Sequence, residues 1–352
     1  MTCSGTTTGG YVLTSDQSPL TVSAGASLQN SAGDALTVAI PANAFYDPRT
    51  VTLTINGSVS SATGNGISVY SGPFDGGDYD FYGTSGTITV GAGGSISGVT
   101  GITIAQSPGY FSQNAPVHIS IDNFGTITGT GGVALSGVDS LFYNNISYST
   151  ITNEIGGSIG AIDANFGTLS NSGTIDGGTL SAVRADFNNY NATVNNAGTI
   201  TASGAADTVT NANATYYSGA LTNSGTITNT GTGAAISGFA IITNQAGGTI
   251  SASGSDVIAQ GLAGALTVTN GGTIGNLGAG QAISGAYVNV TNNAGGAINA
   301  GSGGVAINAA SSLTLVNMGT INGNVLAGNA GYVDSSQGTI NGNLVFGATT
   351  TR

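Results

Sequence analysis

Apolar and polar residues alternate along this chain in runs of only three or four, and the runs recur at a nearly constant interval. The clearest interval reads Leu266-Thr267-Val268-Thr269, then Gly272-Thr273-Ile274, then Ala282-Ile283-Ser284, with Asn and Gly between the runs. A period of two gives each run one apolar and one polar face, the pattern of a short half-buried β-strand. We name the three runs A, B and C. No strand this short buries its apolar face alone, whereas copies stacked coil upon coil bury all of them in one core. The pattern predicts an all-β fold, a right-handed parallel β-helix, with the hand following from the usual sense of parallel crossovers.

The B strand keeps the register. Its central residues are Leu28, Val59, Ile96, Ile127, Ile159, Ile175, Ile200, Ile227, Ile250, Ile274, Ile298, Ile321 and Ile340, which predicts about thirteen three-strand coils. Successive steps from Ile227 to Ile321 are 23, 24, 24 and 23 residues. At about 4.8 Å per coil the stack would measure about 60 Å. In six coils an Asn stands two residues before the Gly-Thr-Ile phrase: Asn123, Asn171, Asn196, Asn223, Asn270 and Asn317. Asn tolerates turn geometry and its amide both donates and accepts, so these six are expected to form a structural ladder at the A-to-B corner.

Composition removes helices from consideration and narrows the partners. Lysine is absent, Glu154 is the single glutamate, and the arginines are Arg49, Arg184 and Arg352, so the usual occupants of exposed helix positions are missing. The 61 glycines accompany 39% apolar residues at recurring places, which argues for order rather than a disordered Gly-rich chain. A net charge of −12 excludes nucleic acid and anionic membrane as expected partners, because both require Lys/Arg patches. Cys3 is the only cysteine, so no internal disulfide forms. The sequence contains no apolar span of membrane-crossing length, and direct membrane insertion is not expected.

The C-to-A turn breaks the period. It is short at 261–264 and 285–287 but swells at 41–50, 70–85, 106–116, 138–149, 184–192 and 211–219. Insertions at one corner of a solenoid line up on one face. Nineteen of the 23 Phe and Tyr residues fall in these turns, Phe45, Tyr46, Tyr70, Phe166, Phe239 and Tyr287 among them. Thirteen are candidate contacts for a glycan or protein: Phe74, Tyr79, Phe81 and Tyr82 in one insertion, Tyr110 and Phe111 in the next, Phe142, Tyr143 and Tyr148 in a third, then Phe187 with Tyr190 and Tyr216 with Tyr217. Rings on a rigid scaffold give large contact area at low entropic cost. The competing reading is that the same rings pack on one another to hold the long turns down.

Specific chemistry is sparsely provided. Asp75, Asp78 and Asp80 place three carboxylates in one insertion, a weak candidate Ca²⁺ cage without EF-hand spacing. No other cofactor is expected. Ser158 lies in a formal Gly-x-Ser-x-Gly, but on a B strand rather than at a strand-to-helix turn, and the only histidine, His118, lies in a strand-like run. A polysaccharide lyase would want basic residues that this chain hardly has. A hydrolase could draw on Asp139, Asp163 and Asp186, and a carbohydrate-active β-helix is kept as the alternative function. Thr-x-Thr rows such as Thr126/Thr128, Thr199/Thr201 and Thr226/Thr228 suggest an ice-binding lattice, but Thr273-Ile274-Gly275, Thr320-Ile321-Asn322 and Thr339-Ile340-Asn341 interrupt it.

The repeated Asn-x-Gly-Thr-Ile, the Ala-Ile-Ser-Gly between copies and the closing 338–347 resemble the passenger regions of Gram-negative autotransporters. The resemblance implies a passenger domain over 20–347, an N-terminal cap over 1–19 and a linker remnant at 348–352 leading to a C-terminal translocator barrel. It also implies a signal peptide already removed, passage across the outer membrane, and surface display or release. The expected role is that of a non-enzymatic adhesin or structural rod for a host or neighbouring-cell surface glycan or protein. The family's protease motif and an Arg-Gly-Asp sequence are not found here, so no family activity transfers to any residue.

Overall fold

The computed structural model describes residues 1–14, 18–40, 50–71, 84–106, 117–137, 149–185, 193–212, 219–260, 264–328 and 330–347. Every regular element among them is a β-strand, and the strands pair in parallel. This is the parallel β-helix that the period-two pattern predicts. The chain divides into two compact units, Met1–Asp176 and Gly177–Arg352.

In the first unit the A strands include Thr50–Ile55, Thr84–Val90 and Val117–Asn123, the B strands Ser58–Ser61, Ser95–Gly98 and Thr126–Gly129, and the C strands Ile67–Ser71, Ile102–Gln106 and Val133–Gly137. Each pairs with its own kind in the next coil. Thr87 sits between Thr52 and Ser120, Ile96 between Val59 and Ile127, and Ile102 between Ile67 and Leu135. The stack begins earlier than the marker residues suggest. Thr2–Cys3, Thr6–Thr8 and Tyr11–Leu13 pair with Leu20–Val22, Ser27–Asn30 and Leu36–Ile40, so a complete coil lies within the segment read as a cap. Thr7 occupies the B-strand centre there, and a polar residue at that place hid the coil from an apolar pattern.

The second unit repeats the arrangement with B strands from Thr199–Ala202 to Thr339–Asn341. In its later coils the C and A strands merge. Ile283–Asn292 and Val305–Asn317 run through the C-to-A junction as single strands, because no insertion separates the two halves.

The core of each unit is a set of vertical columns. Leu28, Val59, Ile96, Ile127, Ile159 and Ile175 form the B column of the first unit, and Ile200, Ile227, Ile250, Ile274, Ile298 and Ile321 that of the second, none more than 2% exposed. Their outward neighbours are small and polar, so alternation within each strand maps directly onto inside and outside.

The glycine of Gly-Thr-Ile has a packing reason. A Cβ at Gly125, Gly173, Gly225, Gly272 or Gly319 would overlap backbone carbonyls of the preceding coil, so coils could not approach to pairing distance there with any larger residue.

Candidate functional site

The A-to-B corner takes two forms. The short form is Asn-x-Gly, as at Asn223-Ser224-Gly225. The long form adds two residues, as at Asn244-Gln245-Ala246-Gly247-Gly248, where the Gly248 amide donates to the Gln245 carbonyl and Gly247 has φ 84°. A positive φ at the third residue is the requirement of a type II turn, which only Gly meets without strain. Asn153 and Asn292 open corners of the same kind, with Gly156 at φ 86° and Gly295 at φ 84°.

Both forms begin on an inward Asn, and these side chains stack. In the first unit Asn123 Nδ2 donates to Asn153 Oδ1 at 2.7 Å, and Asn153 Nδ2 to Asn171 Oδ1 at 2.7 Å. In the second, the donations run from Asn196 to Asn223, Asn244, Asn270, Asn292 and Asn317 in turn, at 2.7 to 2.9 Å, and Asn317 Nδ2 then donates to Ser335 Oγ. Every donation points toward the C-terminal neighbour. In seven of the nine, from Asn123 and Asn153 to Asn196, Asn223, Asn244, Asn270 and Asn292, Nδ2 also approaches carbonyls of its own corner and of the next B strand; for Asn244 these are Gly248 at 3.1 Å and Thr273 at 3.2 Å. None of the nine is more than 2% exposed. The amides are therefore committed to one another and to backbone, which is a structural use.

All six predicted ladder residues belong to these columns. Asn153, Asn244 and Asn292 escaped the sequence reading because the two extra corner residues separate them from Gly-x-Ile, although the recurring Asn-x-x-Gly-Gly was a legible signal. A second ladder was also missed. Asn322 Nδ2 donates to Asn299 Oδ1 at 2.7 Å and Asn341 Nδ2 to Asn322 Oδ1 at 2.8 Å on the outer face of the B strands. These are the positions at which the Thr-x-Thr rows are interrupted, so exposed amides continue there in place of hydroxyls.

The thirteen aromatic contact candidates, Phe74, Tyr79, Phe81, Tyr82, Tyr110, Phe111, Phe142, Tyr143, Tyr148, Phe187, Tyr190, Tyr216 and Tyr217, lie outside the described residues, as do Asp75, Asp78 and Asp80. The strands flanking their segments are described. Segment 72–83 leaves a C strand at Ser71 and enters an A strand at Thr84; segment 107–116 leaves at Gln106 and enters at Val117. Four other aromatics assigned to the same junctions are described. Phe166 and Phe239 are each 1% exposed and belong to the core, Tyr70 lies on a C strand and is half-buried, and Tyr287 lies within the merged strand Ile283–Asn292 at 48% exposure.

Among carboxylates, Asp163 lies on the C strand Ala161–Ala164, while Asp139 and Asp186 lie outside the described residues. Asp34, Asp207 and Asp256 share a structural task at the entry to the C strand. Each accepts the amide of the residue one coil on: Asn65 at 2.7 Å, Ala234 at 2.8 Å and Gln281 at 2.8 Å. Asp256 also accepts the Ser284 hydroxyl at 2.6 Å. Ser158 lies on the B strand Ser158–Ile159 and His118 on the A strand Val117–Asn123. Among the described residues no three His, Cys, Asp or Glu side chains converge to hold a metal. Among the described residues no helix is long and apolar enough to cross a membrane. No protein family, curated protein or solved structure matches the chain.

Proposed function

We propose that this chain is a non-enzymatic β-helical scaffold, displayed at or released from a cell surface, that contacts glycan or protein through the segments joining C to A strands. One observation carries the reading. A-strand register holds from Thr52 to Thr87 to Ser120 and C-strand register from Leu36 to Ile67 to Ile102, although segments 41–49, 72–83 and 107–116 intervene. A scaffold that keeps its pairing whatever is inserted at one junction leaves that junction free to vary, and variable loops on a rigid frame are where binding residues concentrate. The aromatic content of those segments supports a contact role. The passenger-like repeat and the negative net charge support export and solubility outside the cell.

The test replaces Tyr79, Tyr82, Tyr110 and Tyr143 together by Ser and compares binding to a glycan array and to cells. Loss of binding with an unchanged thermal transition is expected. Retained binding by a folded variant sinks the proposal.

A further inference from the structure

Of the nine asparagines in the inner ladders, only Asn270 is followed by glycine. The other short corners carry a side chain at that place, among them Phe124, Ser172, Ser224 and Met318. The backbone does not require Gly271. It has no positive φ, and a Cβ there would meet nothing nearer than the Ala246 amide nitrogen at 3.3 Å, whereas one at Gly272 would overlap the Gly248 carbonyl. The effect of this glycine is chemical, because Asn is thermolabile and a glycine after it leaves the following nitrogen unhindered.

The reaction open to such a pair is intramolecular. The Gly271 nitrogen forms a bond to Asn270 Cγ, the Cγ–Nδ2 bond breaks, and ammonia leaves with the proton that the Gly271 nitrogen gives up. Water then opens the cyclic imide at either carbonyl, so that Asn becomes Asp or isoaspartate without oxidant, reductant or cofactor.

The folded coil withholds every participant. The Gly271 amide donates to the Asn244 carbonyl at 2.7 Å. Asn270 Nδ2, the leaving group, donates to Asn292 Oδ1 at 2.8 Å and approaches the carbonyls of Gly272 at 3.1 Å and Ala297 at 3.2 Å. Its Oδ1 accepts from Asn244 Nδ2 at 2.9 Å, and the side chain has no exposed surface for water to reach. Local opening of the coil releases all of these groups together. After conversion the return is opposed. Asp has no side-chain N–H, and its carboxylate would lie against Asn292 Oδ1 and two carbonyls, all of them acceptors. Isoaspartate lengthens the main chain by a methylene and breaks the register that pairs Asn270 with Asn292.

We propose that Asn270 and Gly271 form a self-modification site held latent by the fold: Asn270 loses ammonia by hydrolysis when its coil opens, and the product then keeps the ladder from closing.

The test incubates the 352-residue chain at mildly alkaline pH, in buffer and in guanidinium chloride, and reads conversion at position 270 by peptide mass spectrometry. Position 270 is expected to stay an amide in the folded chain and to convert in denaturant. In Asn244→Ala, which lacks the donor to Asn270 Oδ1, conversion in buffer is faster than in the natural chain. Gly271→Ser, with the residue of two other short corners, keeps the thermal transition and loses the conversion in denaturant. Asn270→Asp, the product made by mutation, melts well below Asn322→Asp, whose site lies on the exposed ladder. Conversion as fast in the folded chain as in the unfolded one overturns the proposal. So does an unchanged rate in Asn244→Ala, conversion of Gly271→Ser at the natural rate, or an Asn270→Asp chain that melts with the natural one.

Discussion

Val90 and Asn123 are register partners in neighbouring coils, both without exposed surface, and between them one column of the core changes from hydrocarbon to amide. Below the change the column is Val22, Ile55 and Val90; above it are Asn123, Asn153 and Asn171. A buried amide is costly alone and well satisfied in a stack, so the substitution of Asn for an aliphatic residue is favourable only when neighbours make it too.

This sets the cost of extending the column. Val90→Asn places a new amide beside Asn123 Oδ1, whereas Ile55→Asn places one between Val22 and Val90. Urea unfolding should show Ile55→Asn more destabilising than Val90→Asn by about 1–3 kcal/mol, the cost of a buried polar group without a partner.

Interrupting the column should be costly in the second unit as well. Asn244→Ala removes the donor to Asn270 Oδ1, and an orphaned buried acceptor costs about 1–3 kcal/mol. Asn322→Ala, in the exposed ladder where water replaces the lost bond, should fall within about 0.5 kcal/mol of the natural chain. Equal losses for the two would show that burial is not what gives the inner ladder its value.

The first glycine of a long corner should respond differently from the glycine of a short corner. Gly247→Ala meets open space and only the strain of a positive φ, about 1–2 kcal/mol. Gly225→Ala drives a methyl into the Gly198 and Ala197 backbone and should cost more, because backbone cannot move aside. Comparing the two thermal transitions decides it.

Aromatic residues assigned to one junction divide by burial. Phe166→Ala should cost about 3–5 kcal/mol, as for other buried rings, while Tyr287→Ser, half exposed, should cost far less. Similar effects would argue that Tyr287 also packs.

Asp334 links the last A strand to pH. The Ser336 backbone and side-chain hydrogen bonds hold its carboxyl below the ordinary value of 3.8. A carboxyl with a lowered folded pKa contributes stability that is present above the ordinary value and is lost as pH falls through the lowered one. Asp334→Asn should therefore narrow its stability deficit in acid, below about pH 3.8, relative to neutral pH. A deficit independent of pH would contradict the charge-dependent bond.

What could be read from the chain and what could not follow from the range of each signal. Period-two alternation and the recurrence of Gly-Thr-Ile are properties of a few consecutive residues and of their spacing, and they are enough to specify the strands, the coil and the B column of each unit. The first coil was hidden because Thr7 breaks the apolar pattern while keeping the strand.

The identity of the stacked partners lay beyond that range. Asn153, Asn244 and Asn292 enter the ladder because a four-residue turn returns the chain to the same register as a two-residue one, and Asn322 meets Asn299 because B strands separated by a whole coil pair residue for residue. Phe166 and Phe239 turn inward while Tyr287 does not. These outcomes depend on which side chains the neighbouring coils bring alongside. Alternation along the chain thus determined the repeating unit, and tertiary packing decided the contents of each column, because burial is shared between residues that are distant in sequence and adjacent only after stacking.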